Sequence, residues 1–460
     1  MKRREFITKI AGAAAAVSGG TALASGPAFS SGRISGANDR VNVALIGCGG
    51  RGRLVSNLMR EVPGVDFVAV CDVYEQNLAM AKQWAGPRAQ TFGDFRKVLD
   101  LKEVDAVVIA TPDHWHAIPA VLACQAGKDV YLEKPLGHTV REGRAIVETV
   151  RRHDRILQHG TQQRSSPHYA EAARIVRSGE LGPVHFVRIW NFVNMHPEGI
   201  GRVADSDPPA GADWDFFLGP APYVPFNRNR FVGTYRWFWD YGGGLVTDFG
   251  IHRFDSMHQI MGVDAPVTIS ASGGRFGLND GAETPDVVQV TYEYPGFVLS
   301  YEASMLNAHG AGGRTPGRQY YSARGETDRP HGEAYYGTNG TMIVDRLGFE
   351  IYPELKSTTG PGAVGRAARV EGYRMARAEM AAEDATGLHI RDFIDCVRTR
   401  RKPIADAETG QRSTTVSHLG NIAFRTGQKI RWDGKVEAVA GGGEAARMLS
   451  RDSRKPWDVV

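Results

Sequence analysis

The chain has 460 residues, 42% of them apolar and 23% charged, so it can bury a large core and exceeds the ~150 residues of a typical domain. We therefore expect two domains. The 55 basic and 51 acidic residues give a formal charge of only +4, and no basic block follows the extreme N-terminus, which argues against a nucleic-acid partner.

Residues 1–24 have the composition of an export signal. The run Lys2 to Ile7 contains paired arginines followed by Phe6 and Ile7, a weakly apolar stretch continues to Ala24, and Ala22-Leu23-Ala24 offers small residues for cleavage. These features resemble a twin-arginine signal peptide. The stretch is too short and glycine-rich for a stable membrane anchor, which needs about 20 strongly apolar residues. We expect an exported, periplasmic protein, with a linker at residues 25–40.

Residues 41–163 alternate short apolar strands with helices. We predict strands at Val41 to Ile46, Phe67 to Cys71, Val104 to Ala110, Val130 to Leu132 and Ile156 to His159, and helices at Arg51 to Glu61, Asn77 to Trp84, Ile118 to Ala126 and Val140 to Arg152. This alternation is typical of a doubly wound parallel sheet. The fold class is therefore α/β, with an N-terminal Rossmann domain that ends near Gln163.

Residues 164–436 favour longer strands joined by tight turns. We predict strands at Val184 to Phe192, Val287 to Tyr294, Phe297 to Ser304, Glu333 to Tyr336 and Thr341 to Asp345, and covering helices at Leu245 to Met261, His389 to Arg398 and Thr409 to Arg425. This pattern indicates a C-terminal α+β domain with a large, mainly antiparallel open sheet, whose uncovered face leads us to expect a homo-oligomer. Residues 358–387 and a tail at 437–460 are interpreted as an insertion and an extension.

The loop Gly47-Cys48-Gly49-Gly50-Arg51-Gly52 has the GxGxxG spacing of a dinucleotide site. That spacing is weak evidence among 55 glycines, but here the loop follows a strand, opens a helix and precedes Asp72 by 20 residues. Gly47 permits the tight turn, Gly49 allows close approach to a pyrophosphate and Gly52 allows helix and strand to pack closely. A carboxylate at Asp72 favours NAD over NADP, although Arg51 could instead counter a 2′-phosphate.

Two further segments fall at the carboxyl edge of the predicted sheet, where ligands bind. They are Thr111-Pro112-Asp113-His114-Trp115-His116 and Glu133-Lys134-Pro135. A lysine beside a nicotinamide could polarise a substrate oxygen. Further on, Asp248 and His252 follow three glycines and lie four residues apart, on one face of a predicted helix. Such a pair is more often a surface ion pair than a catalytic dyad.

The motifs GxGxxG, EKP and GGGxxxDxGxH, in this order, resemble the Gfo/Idh/MocA family, which includes glucose-fructose oxidoreductase and inositol dehydrogenase. The likeness extends over nearly the whole mature chain and suggests the family's exported branch. It implies that Lys134, Asp248 and His252 form the catalytic set, and that Glu133, Thr111, Pro112 and His116 lie near the cofactor. We expect His252 to accept a hydroxyl proton, Lys134 to hydrogen-bond the developing alkoxide and Asp248 to orient or charge-stabilise the imidazole.

The substrate pocket is expected to contain Arg164, Tyr235, Trp237 and His252, because aromatic faces suit sugar rings. At least half of the aromatic side chains between Arg230 and Tyr241 are expected to belong to the interdomain core instead. His114 and His116 are spaced like metal ligands, but no cysteine or carboxylate cluster supports a metal site, so hydrogen bonding to cofactor and substrate is favoured. The four cysteines have no CxxC spacing and receive no redox role.

The predicted function is NAD(P)-dependent oxidation of a secondary hydroxyl on a sugar, glycoside or polyol. The cofactor should be tightly bound, because the periplasm holds no pool of free NAD to recycle it. An NAD-dependent glycoside hydrolase, working by oxidation, elimination, hydration and reduction, would use the same Lys134, Asp248 and His252. A non-enzymatic binding protein is the third alternative, and the intact catalytic set argues against it.

Overall fold

The computed structural model describes residues 40–308, 330–357 and 370–458. The predicted signal peptide, most of the predicted linker and residues 358–369 of the predicted insertion lie outside these ranges. Across the described ranges, we find no helix that combines the length and apolar character needed to cross a bilayer.

Six parallel strands form the first sheet, in the order β3-β2-β1-β4-β5-β6. The strands are β1 (Val41–Ile46), β2 (Val65–Cys71), β3 (Gln90–Phe92), β4 (Ala106–Ile109), β5 (Asp129–Leu132) and β6 (Leu157–His159), and the connecting helices are α1 (Gly50–Arg60), α2 (Glu75–Ala85), α3 (Phe95–Leu99), α4 (Ala117–Gln125) and α5 (Val140–Arg152). The strand order reverses between β1 and β4, and open α/β sheets bind ligands at such a point. The predicted Rossmann fold is confirmed.

The second sheet contains ten strands, in the order β16-β13-β12-β11-β7-β10-β9-β8-β17-β18. The remaining strands are β7 (Val184–Phe192), β8 (Thr268–Gly274), β9 (Val287–Tyr294), β10 (Phe297–Ser304), β11 (His331–Gly337), β12 (Gly340–Asp345), β13 (Gly348–Pro353), β14 (Leu355–Ser357), β15 (Val370–Tyr373), β16 (Ala378–Ala381), β17 (Ile430–Asp433) and β18 (Ala438–Val439). Strands β14 and β15 pair separately. Only β7 and β10 run parallel within the described sheet, so the predicted mainly antiparallel sheet is confirmed.

The helices of the second half differ from the prediction in one break, described here, and in the position of α10, described next. They are α6 (Pro167–Arg177), α7 (Trp214–Leu218), α8 (Gly244–Asp248), α9 (Gly250–Met261), α10 (Ala385–Thr399), α11 (Ala407–Thr426) and α12 (Gly443–Arg447). The predicted continuous helix Leu245 to Met261 is broken at Phe249 into α8 and α9.

Helix α10 was expected to cover the second sheet, but it packs on the first. Its Ile390, Phe393 and Ile394 share a core with Val43 and Leu45 of β1. An apolar stripe predicts that a helix buries one face, not which sheet it covers. The first core therefore includes a segment from far beyond the predicted boundary at Gln163.

The C-terminal segment, predicted as an extension, packs tightly against both halves of the chain. Trp457 stacks on Phe216, with ring centroids 5.2 Å apart, and meets the ring of Trp115 edge-on at 4.8 Å. Arg454 Nε donates to Gly219 O at 2.9 Å. These contacts fix the chain end beside the loop that follows β4.

Candidate active site

The glycine loop between β1 and α1 leaves space where its motif requires it. Gly47 has φ +92°, and a Cβ there would lie 2.6 Å from the carbonyl carbon of Ala110. A Cβ on Gly52 would lie 2.1 Å from Gly47 O, so helix and loop can pack only through glycine. By contrast, Cβ atoms on Gly49 and Gly50 would meet nothing within 4 Å. The loop is thus tightly packed behind and open in front.

The open side of the loop faces a cleft of about 360 Å³, within the ~300–1,000 Å³ typical of ligand sites. Gly49 caps α1 without a side-chain hydrogen bond, so the first-turn N–H groups of this helix remain available for an anion. Asp72 also lines the cleft, and its Oδ2 accepts from Cys48 N of the glycine loop at 2.7 Å while its Oδ1 accepts from Tyr74 N at 2.9 Å. Burial raises the pKa of Asp72, although these hydrogen bonds oppose the shift.

Polar atoms without partners mark the same cleft. Arg51 Nε donates to Glu133 Oε1 at 2.7 Å. Glu133 therefore neutralises the guanidinium that could otherwise counter the 2′-phosphate of NADP. Arg51 Nη2 and Thr111 Oγ1 are buried and lack a hydrogen-bond partner in the described part of the chain. Thr111 and Pro112 line the cleft beside Gly47. The glycine cradle, the free amides and these orphaned atoms fit a dinucleotide.

His116, predicted to lie at the cofactor, has a different set of contacts. Its Nδ1 is 2.5 Å from Pro135 O and its Nε2 is 3.0 Å from Thr111 O. Both ring nitrogens are thus occupied by backbone carbonyls, and the ring is absent from the cleft lining. His116 therefore holds together the two loops that follow β4 and β5, and its predicted position near the cofactor stays a prediction.

Lys134, Asp248 and Arg236 form a charged corner next to the cleft. Lys134 Nζ donates to Asp248 Oδ1 at 2.6 Å and to Asp248 O at 2.8 Å, and Arg236 Nε lies 3.1 Å from Asp248 Oδ2. Burial alone would raise the pKa of Asp248, but the two cations outweigh burial and hold that pKa below its ordinary value. Two of the three N–H groups of Lys134 are thereby used, and the third is available for a ligand. Because Arg236 lines the cleft, the corner adjoins it.

His252 lies in the first turn of α9, four residues beyond Asp248, and is 6% exposed. The structure does not join these two residues by a hydrogen bond among the described residues, because Asp248 pairs with Lys134 and Arg236 instead. His252 Nδ1 is buried, with no partner among the described residues. Burial first, then the charges of Arg346 and Lys134, lower the pKa of His252 well below its ordinary value, so its imidazole is neutral near pH 7.

The three predicted substrate residues other than His252 separate in the structure. Arg164 forms an ion pair with Asp255 of α9, at 3.1 Å, so its guanidinium holds elements together. Trp237 is 6% exposed and belongs to the core of the second half. Tyr235 lines the cleft and donates through its hydroxyl to Asp113 Oδ1 at 3.0 Å. Only Tyr235 is placed at the cleft.

Sequence reasoning gave no role to Arg236, Asp113 or Arg346. Arg236 belongs to a polar and aromatic run that the sequence flags only as a group suited to sugars. Asp113 directly follows Thr111-Pro112, and that position was the signal that could have identified it. Arg346 lies in the turn after β12, and nothing in its sequence surroundings points to His252.

We searched residues 40–308, 330–357 and 370–458 for groups of three or more His, Cys, Asp or Glu side chains at metal-binding distances and found none. His114 Nε2 lies 2.9 Å from Phe217 O instead, and burial lowers the pKa of His114 to about 3. All four cysteines are buried free thiols.

Two family models match the chain. Residues 41–161 match "Oxidoreductase family, NAD-binding Rossmann fold", and residues 171–298 and 375–459 match "Oxidoreductase family, C-terminal alpha/beta domain".

Several curated relatives share part or most of this sequence. Scyllo-inositol 2-dehydrogenase (NAD(+)) of Bacillus subtilis is 24% identical over 407 residues, which cover 86% of this chain and 97% of the relative. Inositol 2-dehydrogenase of Rubrobacter xylanophilus is 32% identical over 39% of this chain and 49% of its own length. A glycosyl hydrolase family 109 protein of Stenotrophomonas maltophilia is 33% identical over 32% of this chain and 33% of its own length.

Solved structures share the fold. The WlbA dehydrogenase of Bordetella pertussis, in complex with NADH and UDP-GlcNAcA, superposes with a TM-score of 0.61 at 19% identity, covering 86% of this chain and 99% of that one. The aldose-aldose oxidoreductase of Caulobacter crescentus, complexed with glycerol, gives a TM-score of 0.60 at 18% identity, covering 85% and 99%. At these identities the likeness establishes the fold alone.

Proposed function

The chain belongs to the Gfo/Idh/MocA family of NAD-binding oxidoreductases, and from that premise we propose that it oxidises a secondary hydroxyl of a sugar, glycoside or polyol. The observation that carries this proposal is the 2.6 Å contact between Lys134 Nζ and Asp248 Oδ1, at the carboxyl edge of a Rossmann sheet. Arg236 links that contact to the cleft of the glycine loop. The inositol dehydrogenases among the relatives support a polyol or sugar substrate.

His252 and Lys134 have separate roles in the transfer of the proton. His252 is neutral and accepts the hydroxyl proton of the substrate. Lys134 donates its remaining N–H to the same oxygen and stabilises the negative charge that develops there. Asp248 positions Lys134 rather than His252, because both of its oxygens face cations. Nicotinamide, when bound, supplies the hydride acceptor for the substrate carbon.

The bound cofactor is proposed to be NAD, held through turnover. Asp72 offers a carboxylate to ribose hydroxyls and repels a 2′-phosphate, while Arg51 is neutralised by Glu133. The cleft has walls from both halves of the chain, including Phe217 and Tyr235 from the second half. Walls on two sides should slow the release of a bound cofactor. Mass spectrometry of the small molecules released from denatured native protein tests both points: NAD is expected, and NADP or no dinucleotide would contradict the assignment.

Export through the twin-arginine route is proposed from the sequence of residues 1–24. A cofactor that cannot be replaced after export must be loaded before it, and the twin-arginine route carries folded proteins. Replacing Arg3 and Arg4 by lysine should retain the chain inside the cell, as measured by cell fractionation. The outcome that contradicts this proposal is an unchanged distribution of the Arg3→Lys/Arg4→Lys variant.

A second candidate function is NAD-dependent glycoside hydrolysis with no net redox change. The partial similarity to a glycosyl hydrolase family 109 protein favours keeping it. The two functions separate when purified protein is incubated with free sugars and with aryl glycosides, without added NAD. A keto-sugar or lactone supports the oxidoreductase, and aglycone release with retained sugar supports the hydrolase.

The catalytic assignment is tested by His252→Ala, with His185→Ala as a matched control on the exposed side of β7. We expect His252→Ala to lose sugar turnover while still binding dinucleotide, because His252 is not among the residues that line the dinucleotide cleft. Unchanged turnover in His252→Ala would remove His252 from the mechanism.

A further inference from the structure

A short 3₁₀ turn that follows β6, Gln162–Ser165, carries an arginine that binds helix α9 of the second half. Arg164 Nε donates to Asp255 Oδ2 at 3.1 Å, and its Nη2 donates to Asp255 Oδ1 at 3.1 Å. The same Nη2 also donates to the backbone oxygen of Asp255 at 3.0 Å. The guanidinium therefore holds both the side chain and the backbone of α9.

Two further hydrogen bonds place the same turn along one face of α9. Gln259 Nε2 donates to Arg164 O at 3.1 Å. The Gln163 amide, with its nitrogen oriented towards the helix, donates to His252 O at 3.1 Å. Positions 252, 255 and 259 are three and four residues apart, so they follow one face of the helix. The contacts thus begin at the proposed proton acceptor and continue for two helical turns.

His252 lies between two ion pairs that join this part of the chain to the first sheet. Four residues before it, Asp248 pairs with Lys134, which lies two residues beyond β5. Three residues after it, Asp255 pairs with Arg164, which lies five residues beyond β6. Strands β5 and β6 are hydrogen-bonded neighbours. Both pairs therefore fix His252 relative to the carboxyl edge of the sheet that carries the glycine loop.

The pair between Arg164 and Asp255 suits orientation better than stabilisation. The Asp255 side chain is fully buried, and that of Arg164 keeps 13% of its surface exposed. A buried ion pair is often no more stabilising than apolar side chains of similar size, because both charges lose their hydration. Two parallel N–H···O bonds, however, fix the distance and the orientation of the groups they join. The structural effect of this pair is thus a defined position of α9.

We propose that Arg164 is a positioning residue for His252. This inference rests on the proposed role of His252 as the acceptor of the substrate proton. Arg164 acts through Asp255 and the backbone of α9, and holds the imidazole where it can reach the hydroxyl. A misplacement of about 1 Å can lower a rate about 10²-fold. Loss of the two parallel hydrogen bonds should therefore lower kcat and leave KM nearly unchanged.

The first test measures turnover of myo-inositol and of glucose, with NAD, by Arg164→Met and by Arg164→Met/Asp255→Leu. The second variant replaces both charges by apolar side chains, which should recover stability without restoring the hydrogen bonds. We expect both variants to lose about 10²-fold in kcat, with KM changed less than about threefold. A kcat that stays at the parent value in either variant, or that recovers together with stability in the second, overturns the proposal.

The second test adds Arg164→Met to His252→Ala. If Arg164 acts through His252, the added substitution should lower kcat less than about threefold further. A further loss of about 10²-fold would contradict the proposal. Arg144→Met is the matched control, because Arg144 also joins the two halves through a partly buried ion pair, but its partners Glu408 and Glu437 lie outside α9. This control should retain kcat.

Amide hydrogen exchange, followed by mass spectrometry, tests the position of α9 without any substrate. Arg164→Met should speed exchange in the peptide that covers Gly250–Met261 at least about tenfold, whereas Arg144→Met should leave that peptide unchanged. If the parent turns over neither probe, the proposed function fails, and the exchange result still decides whether Arg164 fixes α9. Unchanged exchange of this peptide in Arg164→Met overturns the proposal.

Discussion

Replacing Asp248 by Asn is the most direct test of the charged corner formed by Lys134, Asp248 and Arg236, because this carboxylate lies between two cations. Removing one partner of a buried ion pair costs about 3–5 kcal/mol. The Lys134 and Asp248 side chains keep 16% and 15% of their surface exposed, and asparagine can still accept a hydrogen bond. We therefore expect Asp248→Asn to lower the free energy of unfolding by about 2–3 kcal/mol, less than for a fully buried pair.

This loss of stability comes from the contact between Asp248 and Lys134, so a double-mutant cycle with Lys134→Met should detect it. The sum of the losses of unfolding free energy in the two single variants should exceed the loss in the double variant by about 1–3 kcal/mol, because each single variant already removes the same contact. Urea unfolding of the cofactor-free protein measures all four free energies. Lys128→Met, which removes a buried lysine bonded to Leu101 O and Val104 O, is the control for simple loss of a buried lysine. Additivity within about 0.5 kcal/mol would refute the contact.

The same variants should behave alike in turnover. If Asp248 acts by positioning Lys134, each single variant loses about 10²–10³ in kcat and the double variant loses little more. Lys128→Met should retain kcat. A double variant far slower than either single variant would show that the two residues act independently.

Three further predictions address the cleft, the C-terminal segment and acid stability. Gly49→Asp should fold, because its Cβ would meet nothing within 4 Å, but should lose dinucleotide affinity at least about tenfold relative to Gly49→Ala in a fluorescence titration with NADH. Trp457→Ala should lower the free energy of unfolding by about 3 kcal/mol and speed NADH release, since it empties the aromatic cluster behind the cleft; unchanged stability and release would contradict this. Burial alone would raise the pKa of Glu408, but Arg144 with Arg412 and Arg151 lowers it to about 2. A carboxylate whose pKa is lowered in the folded state adds stability above its unfolded pKa of about 4.3, and this stability is lost as the pH falls towards 2. Glu408→Gln should therefore weaken the dependence of the free energy of unfolding on pH between about 4.3 and 2.

The sequence was sufficient for five of the six strands of the first sheet and five of the ten strands of the second, because these strands are long or continuously apolar. Strands β1, β2 and β9 are examples whose predicted bounds agree with the structure within two residues. Short elements such as β3 and α3 contain too few residues to show a period. Strand β8 ends in Ser272-Gly273-Gly274, a composition that favours a loop, and its pairing with β9 overrides that preference.

At the charged corner, too, some features follow from the local sequence and others from long-range contacts. The family resemblance predicts that Lys134, Asp248 and His252 belong to one site, but the pairing of Lys134 with Asp248 depends on a contact across 114 residues of chain. An i,i+4 spacing places two side chains on one helix face only if the helix is continuous. The break at Phe249 ends α8 so that the backbone oxygen of Asp248 accepts from Lys134. That arrangement could not be read from periodicity.

The first core is completed by residues that the ribosome adds long after β1. Helix α10 packs on β1, and Trp457 closes the aromatic cluster around Trp115. Roughly 400 residues separate β1 from Trp457, and at ~5–20 residues per second their synthesis takes about 20–80 s. During this interval the strands of the nucleotide domain exist without part of their covering layer. Packing of this domain can therefore finish only after α10 and Trp457 have been synthesised, and a chain that stops before Trp457 lacks part of the covering layer.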